Sequence, residues 1–168
     1  SLVSSENGKR ISLHQSGSVF DRMTCELLPL ATSQMQADQD TASPLFHEGL
    51  KAISVGQVED AIKLLTESAD LGHIDAQYQL AELYLDGSEL PANHNEAAHW
   101  FQRAADQGDH RAQIRLGWMY EAGLSFKSDH ARSVYWYRLA AEQGNTEAQF
   151  NLAAKYDNGE GVRHNPDE

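Results

Sequence analysis

Residues 97–108 read AAHWFQRAADQG, and residues 133–144, 36 positions later, read SVYWYRLAAEQG. The same spacing relates Ala76, Ala112 and Ala148, then Leu80, Leu116 and Leu152. It also relates Tyr84, Tyr120 and Tyr156, and Gly87, Gly123 and Gly159. A fixed period of this size marks a repeat array, in which each unit hides its apolar face by stacking on the next.

Within one period the pattern is helix, turn, helix. Residues 74–86, IDAQYQLAELYLD, set Ala76, Leu80, Leu83 and Tyr84 at helical spacing. Gly87 then suits the left-handed residue that commonly ends a helix. Leu90, Phe126 and Val162 share one linker position, as apolar anchors for the loop. Asn93, Asp129 and Asn165 follow as N-cap acceptors, and Asn93 with Glu96 makes a capping-box-like pair. The second helix ends at Gly72, Gly108 or Gly144.

Residues 44–72 form a related hairpin with a shorter linker, because Ala61 and Leu65 fall one period before Ala97 and Phe101. Full units occupy 73–108 and 109–144, and a partial one occupies 145–168. Asn165 and Pro166 stand where the next helix would begin, so a longer array is expected. Residues 1–43 lie outside the period. Ser, Thr, Gln and Asp dominate 32–43, which reads as linker, while VFDRMTCELLPL (19–30) is apolar enough for a short helix or strand. A docked arm, the tail of an upstream domain, and disorder that orders on contact all remain open for this segment.

Composition narrows the function classes. The 168 residues hold 13 basic and 25 acidic side chains, a formal charge of −12. Nucleic-acid binding needs a basic footprint, which is missing, and anionic membrane surfaces are disfavoured for the same reason. Cys25 is the only cysteine, so no intrachain disulfide can form. No apolar run approaches the ~18 residues of a membrane span, and the polar opening SLVSSENGKR is not a secretory signal. A soluble protein of unknown compartment is expected. The first residue is Ser1 rather than methionine, as in a processed or excised product.

Residues 73–168 resemble the Sel-1-like repeat family, and 44–72 a tetratricopeptide-type variant of it, with Gly49, Gly56 and Ala61 at the turn. The signature stands here as Ala112, Leu116, Gly117, Tyr120 and Gly123, followed by Ser133, Trp136, Tyr137, Ala140, Ala141 and Gly144. Only the last unit carries the familiar Gly-x-Gly-Val linker, at Gly159 to Val162. The resemblance implies an all-α fold, a right-handed α-solenoid of helix–turn–helix repeats, serving as an adaptor or scaffold for other proteins. A secreted branch with a disulfide in each repeat is not similar to this chain.

Catalytic motifs are missing: there is no nucleophile elbow, phosphate-binding loop or His-Glu-x-x-His. Gly159-Glu160-Gly161 is half a dinucleotide fingerprint in the wrong context, and Asp38-x-Asp40 lacks the rest of a calcium loop. His94 and His130 are repeat-equivalent helix-start residues rather than convergent ligands, so no metal or other cofactor is expected. Tyr84, Tyr120, Tyr156, Trp100 and Trp136 recur with the period, as core positions do.

Trp118 does not recur, since its equivalents are Glu82 and Ala154. The resemblance puts the first helix of each unit on the concave side, with Ala81, Gly117 and Ala153 as small packing positions. The groove-facing tiers are then Tyr78, Ile114 and Phe150; Gln79, Arg115 and Asn151; and Glu82, Trp118 and Ala154. Arg111 lies one turn earlier, between Asp75 and Glu147 in the repeat frame. The expected partner is another protein, bound as a peptide or helix on this face, with Trp118, Tyr78, Ile114 and Phe150 as the apolar contact. Arg111 and Arg115 are expected to engage a ligand carboxylate, which suits a planar fork. Packing of Trp118 on a neighbouring helix, or on residues 19–30 lying in the groove, are the alternatives. A spacer or docking platform in a larger protein competes with the adaptor function, and a small-molecule binder or enzyme comes third.

Overall fold

The computed structural model describes residues 19–89 and 91–161, with side chains from residue 37 onward. The chain divides into two compact units, 1–37 and 38–168. Its helices are α1 (Val19–Ser54), α2 (Val58–Asp70), α3 (Ile74–Asp86), α4 (His94–Asp106), α5 (His110–Ala122), α6 (His130–Glu142) and α7 (Thr146–Asp157). Each packs on its neighbours in chain order from α2 to α7, which is the connectivity of an α-solenoid. No strand occurs among the described residues.

Backbone at 32–43 is helical throughout, where a linker was expected. Three glutamines, two alanines and one methionine are good helix formers there, and no glycine interrupts the run. Pro44 is accommodated inside α1 despite lacking a backbone donor. The helix is tied to α2 where buried Ser68 donates through Oγ to the Ala42 carbonyl, at 2.7 Å. Leu90, Val162, Asn165 and Pro166 lie outside the described residues, as do the side chains of 19–30.

Repeat boundaries are built from local hydrogen bonds that recur one period apart. Gly87 and Gly123 close α3 and α5 with φ of 72° and 71°, a region costly for a residue with Cβ. The chain then doubles back, so that the Asn93 amide donates to the Tyr84 carbonyl and the Asp129 amide to that of Tyr120, at 2.8 and 2.9 Å. Asn93 Oδ1 accepts from the amides of Asn95 and Glu96, capping α4. The capping box is thus one-sided, because the Asn93 amide is spent on Tyr84. The first helices have caps that the sequence pattern did not bring forward. His73, Asp109 and Asn145, also one period apart, accept from Ala76, Ala112 and Ala148 amides respectively.

Packing follows a small-against-large rule. Gly117 lies under the Tyr137 ring so closely that a Cβ would approach it to 2.8 Å, and Gly49 lies under Leu65 in the same way at 2.9 Å. Leu65, Phe101 and Tyr137 are repeat-equivalent, and all are buried. Trp100, Trp136 and Tyr120 are buried and Tyr84 half-buried, as core positions should be. Tyr156 departs from that expectation, at 45% exposed. Its equivalent Tyr120 is covered by the ring of Phe126, stacked at 4.3 Å, whereas Arg138 merely donates to the Tyr156 hydroxyl.

Candidate functional site

Three helices, α3, α5 and α7, carry the residues singled out above. Because each helix places residues three and four apart on one side, Ile114, Arg115 and Trp118 of α5 emerge together. They wall a cavity of about 420 Å³ with Glu121, Tyr137, Glu147 and Asn151. A smaller cavity of about 140 Å³ continues from it and shares Ile114, Arg115 and Glu147, adding Tyr78, Arg111 and Asn145. Tyr78, Arg111, Ile114, Arg115, Trp118 and Asn151 are therefore brought together in one trough. Phe150 is 73% exposed and lines neither cavity; Gln79 and Glu82 do not line them either.

Trp118 is the large aromatic of the trough, 41% exposed. Tyr137 of α6 forms the inner wall, a role that its place in the repeat signature did not separate from packing. Its ring rests on Gly117 and its hydroxyl donates to Glu121 Oε2 at 3.3 Å. Burial, and then the charge of Glu121, pushes the phenol well above its ordinary range, so it stays protonated. Lys155, almost wholly buried, donates to Glu121 Oε1 at 2.5 Å and to Glu160 Oε2 at 2.7 Å. Burial alone would lower the Lys155 pKa, but those two carboxylates hold it above its usual value.

Both arginines are already engaged within the chain. Arg115 forks onto Glu82, with Nε to Oε1 at 2.7 Å and a terminal nitrogen to Oε2 at 3.2 Å. A terminal nitrogen of Arg111 lies 2.5 Å from Asp109 Oδ2 and 2.5 Å from Asp75 Oδ1, and the guanidinium sits 4.6 Å from the centre of the Tyr78 ring. The hydrogen bond that Arg111 donates to Asp109 leads in raising the Arg111 pKa. These forks brace the face of α3 and α5 rather than standing open for a carboxylate.

A second concavity, of about 460 Å³, lies between α1 and α2 and contains none of the expected residues. Among the described residues no three His, Cys, Asp or Glu side chains converge as a metal site, and no helix is long and apolar enough to cross a membrane.

The Sel1 repeat family profile matches residues 45–73, 74–109, 110–145 and 146–168, so the chain belongs to the Sel1 repeat family. Sel1 repeats are generally protein–protein interaction scaffolds, and the solenoid is typically non-enzymatic. Among solved structures the chain is similar to c5321, a protective antigen present in uropathogenic Escherichia coli strains displaying an SLR fold (31% identity, TM-score 0.69). It is also similar to a Sel1 repeat protein from Oxalobacter formigenes, at 32% identity and TM-score 0.68. Each alignment covers 78% of this chain, which spans 29% of the first structure and 56% of the second. Helicobacter pylori cysteine rich protein B shares the fold at 18% identity and TM-score 0.57, over 76% of this chain and 95% of its own. No curated protein is significantly similar.

Proposed function

We propose that this array is an adaptor or scaffold that binds a peptide or helix of a partner protein along the trough of α3, α5 and α7. One observation carries the proposal: Trp118, a large aromatic at a position that does not recur, stands partly exposed beside a cavity of about 420 Å³. Tryptophan is among the residue types that most often dominate binding energy. The trough is walled by apolar and charged groups together, as suits a peptide or helical ligand. Arg111 and Arg115 contribute by holding the α3–α5 surface in shape.

The test is affinity capture from an extract of the source cells, using this chain and a Trp118→Ala variant of matched helicity and melting temperature. A partner retained by the first and lost from the second supports an adaptor acting through the trough. Identical capture by both baits removes the trough from the function. Capture by neither favours a spacer or docking platform within a larger protein.

A further inference from the structure

We propose that the cavity between α5 and α7 receives a basic side chain, an arginine or lysine, presented by a peptide segment of the partner protein. This rests on the function proposed above and adds the chemistry of the occupant. The repeat itself supplies the comparison. At the α3–α5 junction the chain fills the corresponding surface with its own cations: Arg111 lies between Asp75 and the Tyr78 ring, and Arg115 grips Glu82. One period later the positions of Arg111 and Arg115 are Glu147 and Asn151. Neither can supply a cation, and the cavity beside Trp118 stands open there.

The electrostatics of its walls point the same way. Glu121 is committed to Lys155 and Tyr137, but exposed Glu147 has neither a hydrogen bond nor an ion pair among the described residues. An unpaired carboxylate lining one cavity with the partly exposed ring of Trp118 attracts a cation twice, through its charge and through the negative face of that ring. A ligand carboxylate would meet Glu147 and a chain of formal charge −12, while both arginine forks are already taken. The continuation of the cavity past Ile114 towards Tyr78 favours a chain segment over a free small cation.

The whole 168-residue chain would be used to select from a phage-displayed random dodecapeptide library, and the winners resynthesised for fluorescence-polarisation titration. Selected peptides are expected to carry arginine or lysine at one fixed position. Replacing that residue with glutamine should weaken binding about tenfold, as should Glu147→Gln on the protein, and the two together should cost little more than either alone. Affinity should also fall as salt is raised. Glu147 is exposed, so circular dichroism should show its variant folded. Peptides whose binding is lost in Trp118→Ala but which lack a basic residue, or ignore Glu147→Gln, would overturn the cationic occupant and leave the trough standing. Failure to select any peptide that depends on Trp118 would overturn the trough, and the cation with it.

Discussion

Gln143 donates to the side-chain oxygen of Gln113, 30 residues earlier, at 2.8 Å, and Gln107 does the same to Gln77 at 2.7 Å. Gln113 and Gln77 in turn donate to the carbonyls of Ala105 and Ala69, at 3.3 and 2.9 Å. Each buried glutamine thus bridges the C-terminal ends of two successive second helices, α2 to α4 and α4 to α6. The Ala69 and Ala105 carbonyls already accept from the Gly72 and Gly108 amides, at 3.0 and 2.9 Å, and the glutamine adds a second hydrogen bond to each. Gln113→Leu keeps the volume but removes both hydrogen bonds, and should cost about 1–3 kcal/mol of stability. Gln149→Leu, at the exposed equivalent with a 3.4 Å bond, should stay within about 0.5 kcal/mol. Urea unfolding midpoints compare the two.

Trp118 and Tyr137 line the same cavity but should behave in opposite ways. Tyr137 is 2% exposed, so Tyr137→Ala should destabilise the fold by about 3–5 kcal/mol. Trp118→Ala should leave the melting temperature nearly unchanged and weaken partner binding by about 2 kcal/mol or more. Calorimetric melting together with titration of a selected peptide separates the two effects. A large loss of stability in Trp118→Ala would make it a packing residue.

Gly117→Ala should destabilise even though alanine is the better helix former. The added methyl would press into the Tyr137 ring, a buried group with little room to yield. Overpacking of this kind costs about 1–3 kcal/mol. The Tyr137 wall should shift as well, so peptide affinity should fall along with the denaturation midpoint.

His73 should make stability fall in mild acid. Its neutral ring caps α3 by accepting from the Ala76 amide at 3.3 Å and stacks on Phe46 at 4.7 Å. Burial holds its pKa below 6.5; Asp75 pulls upward and His47 adds to the lowering. The unfolded chain therefore binds this proton more readily than the native one. The stabilisation is complete above the unfolded value of 6.5 and is lost as pH drops from there through the lower native value. His73→Asn retains a cap without a titrating ring. Melting temperatures between pH 7.5 and 5 should decline less steeply in the variant.

The residues differ in how openly they announce themselves. Trp118 was legible as a candidate contact because it breaks the period, and Asn93 and Asp129 because side-chain caps act within a few residues. The pairs Ala76-Gln77, Ala112-Gln113 and Ala148-Gln149 also recur one period apart, and that regularity was the signal for the glutamine bridges. Their partners lie 8 and 30 residues away, however, on helices whose approach depends on how the units stack. The helical run through 32–43 is not legible in the sequence because its Ser, Thr, Gln and Asp composition argues for a linker, and contact with α2 through Ser68 is not a local property.

By itself, the sequence determined the repeat frame, its helices and turns, and the family, because helical spacing, glycine at positive φ and N-caps are local physics repeated every 36 residues. Tertiary structure alone decided which charges are free. Arg111 and Arg115 are consumed by Asp75, Asp109 and Glu82, Lys155 is buried between Glu121 and Glu160, and Glu147 has no ion pair among the described residues. Three of these pairings span roughly one repeat: Arg111 to Asp75, 36 residues, Lys155 to Glu121, 34 residues, and Arg115 to Glu82, 33 residues. They exist only because stacking brings successive helices within reach of one another's side chains.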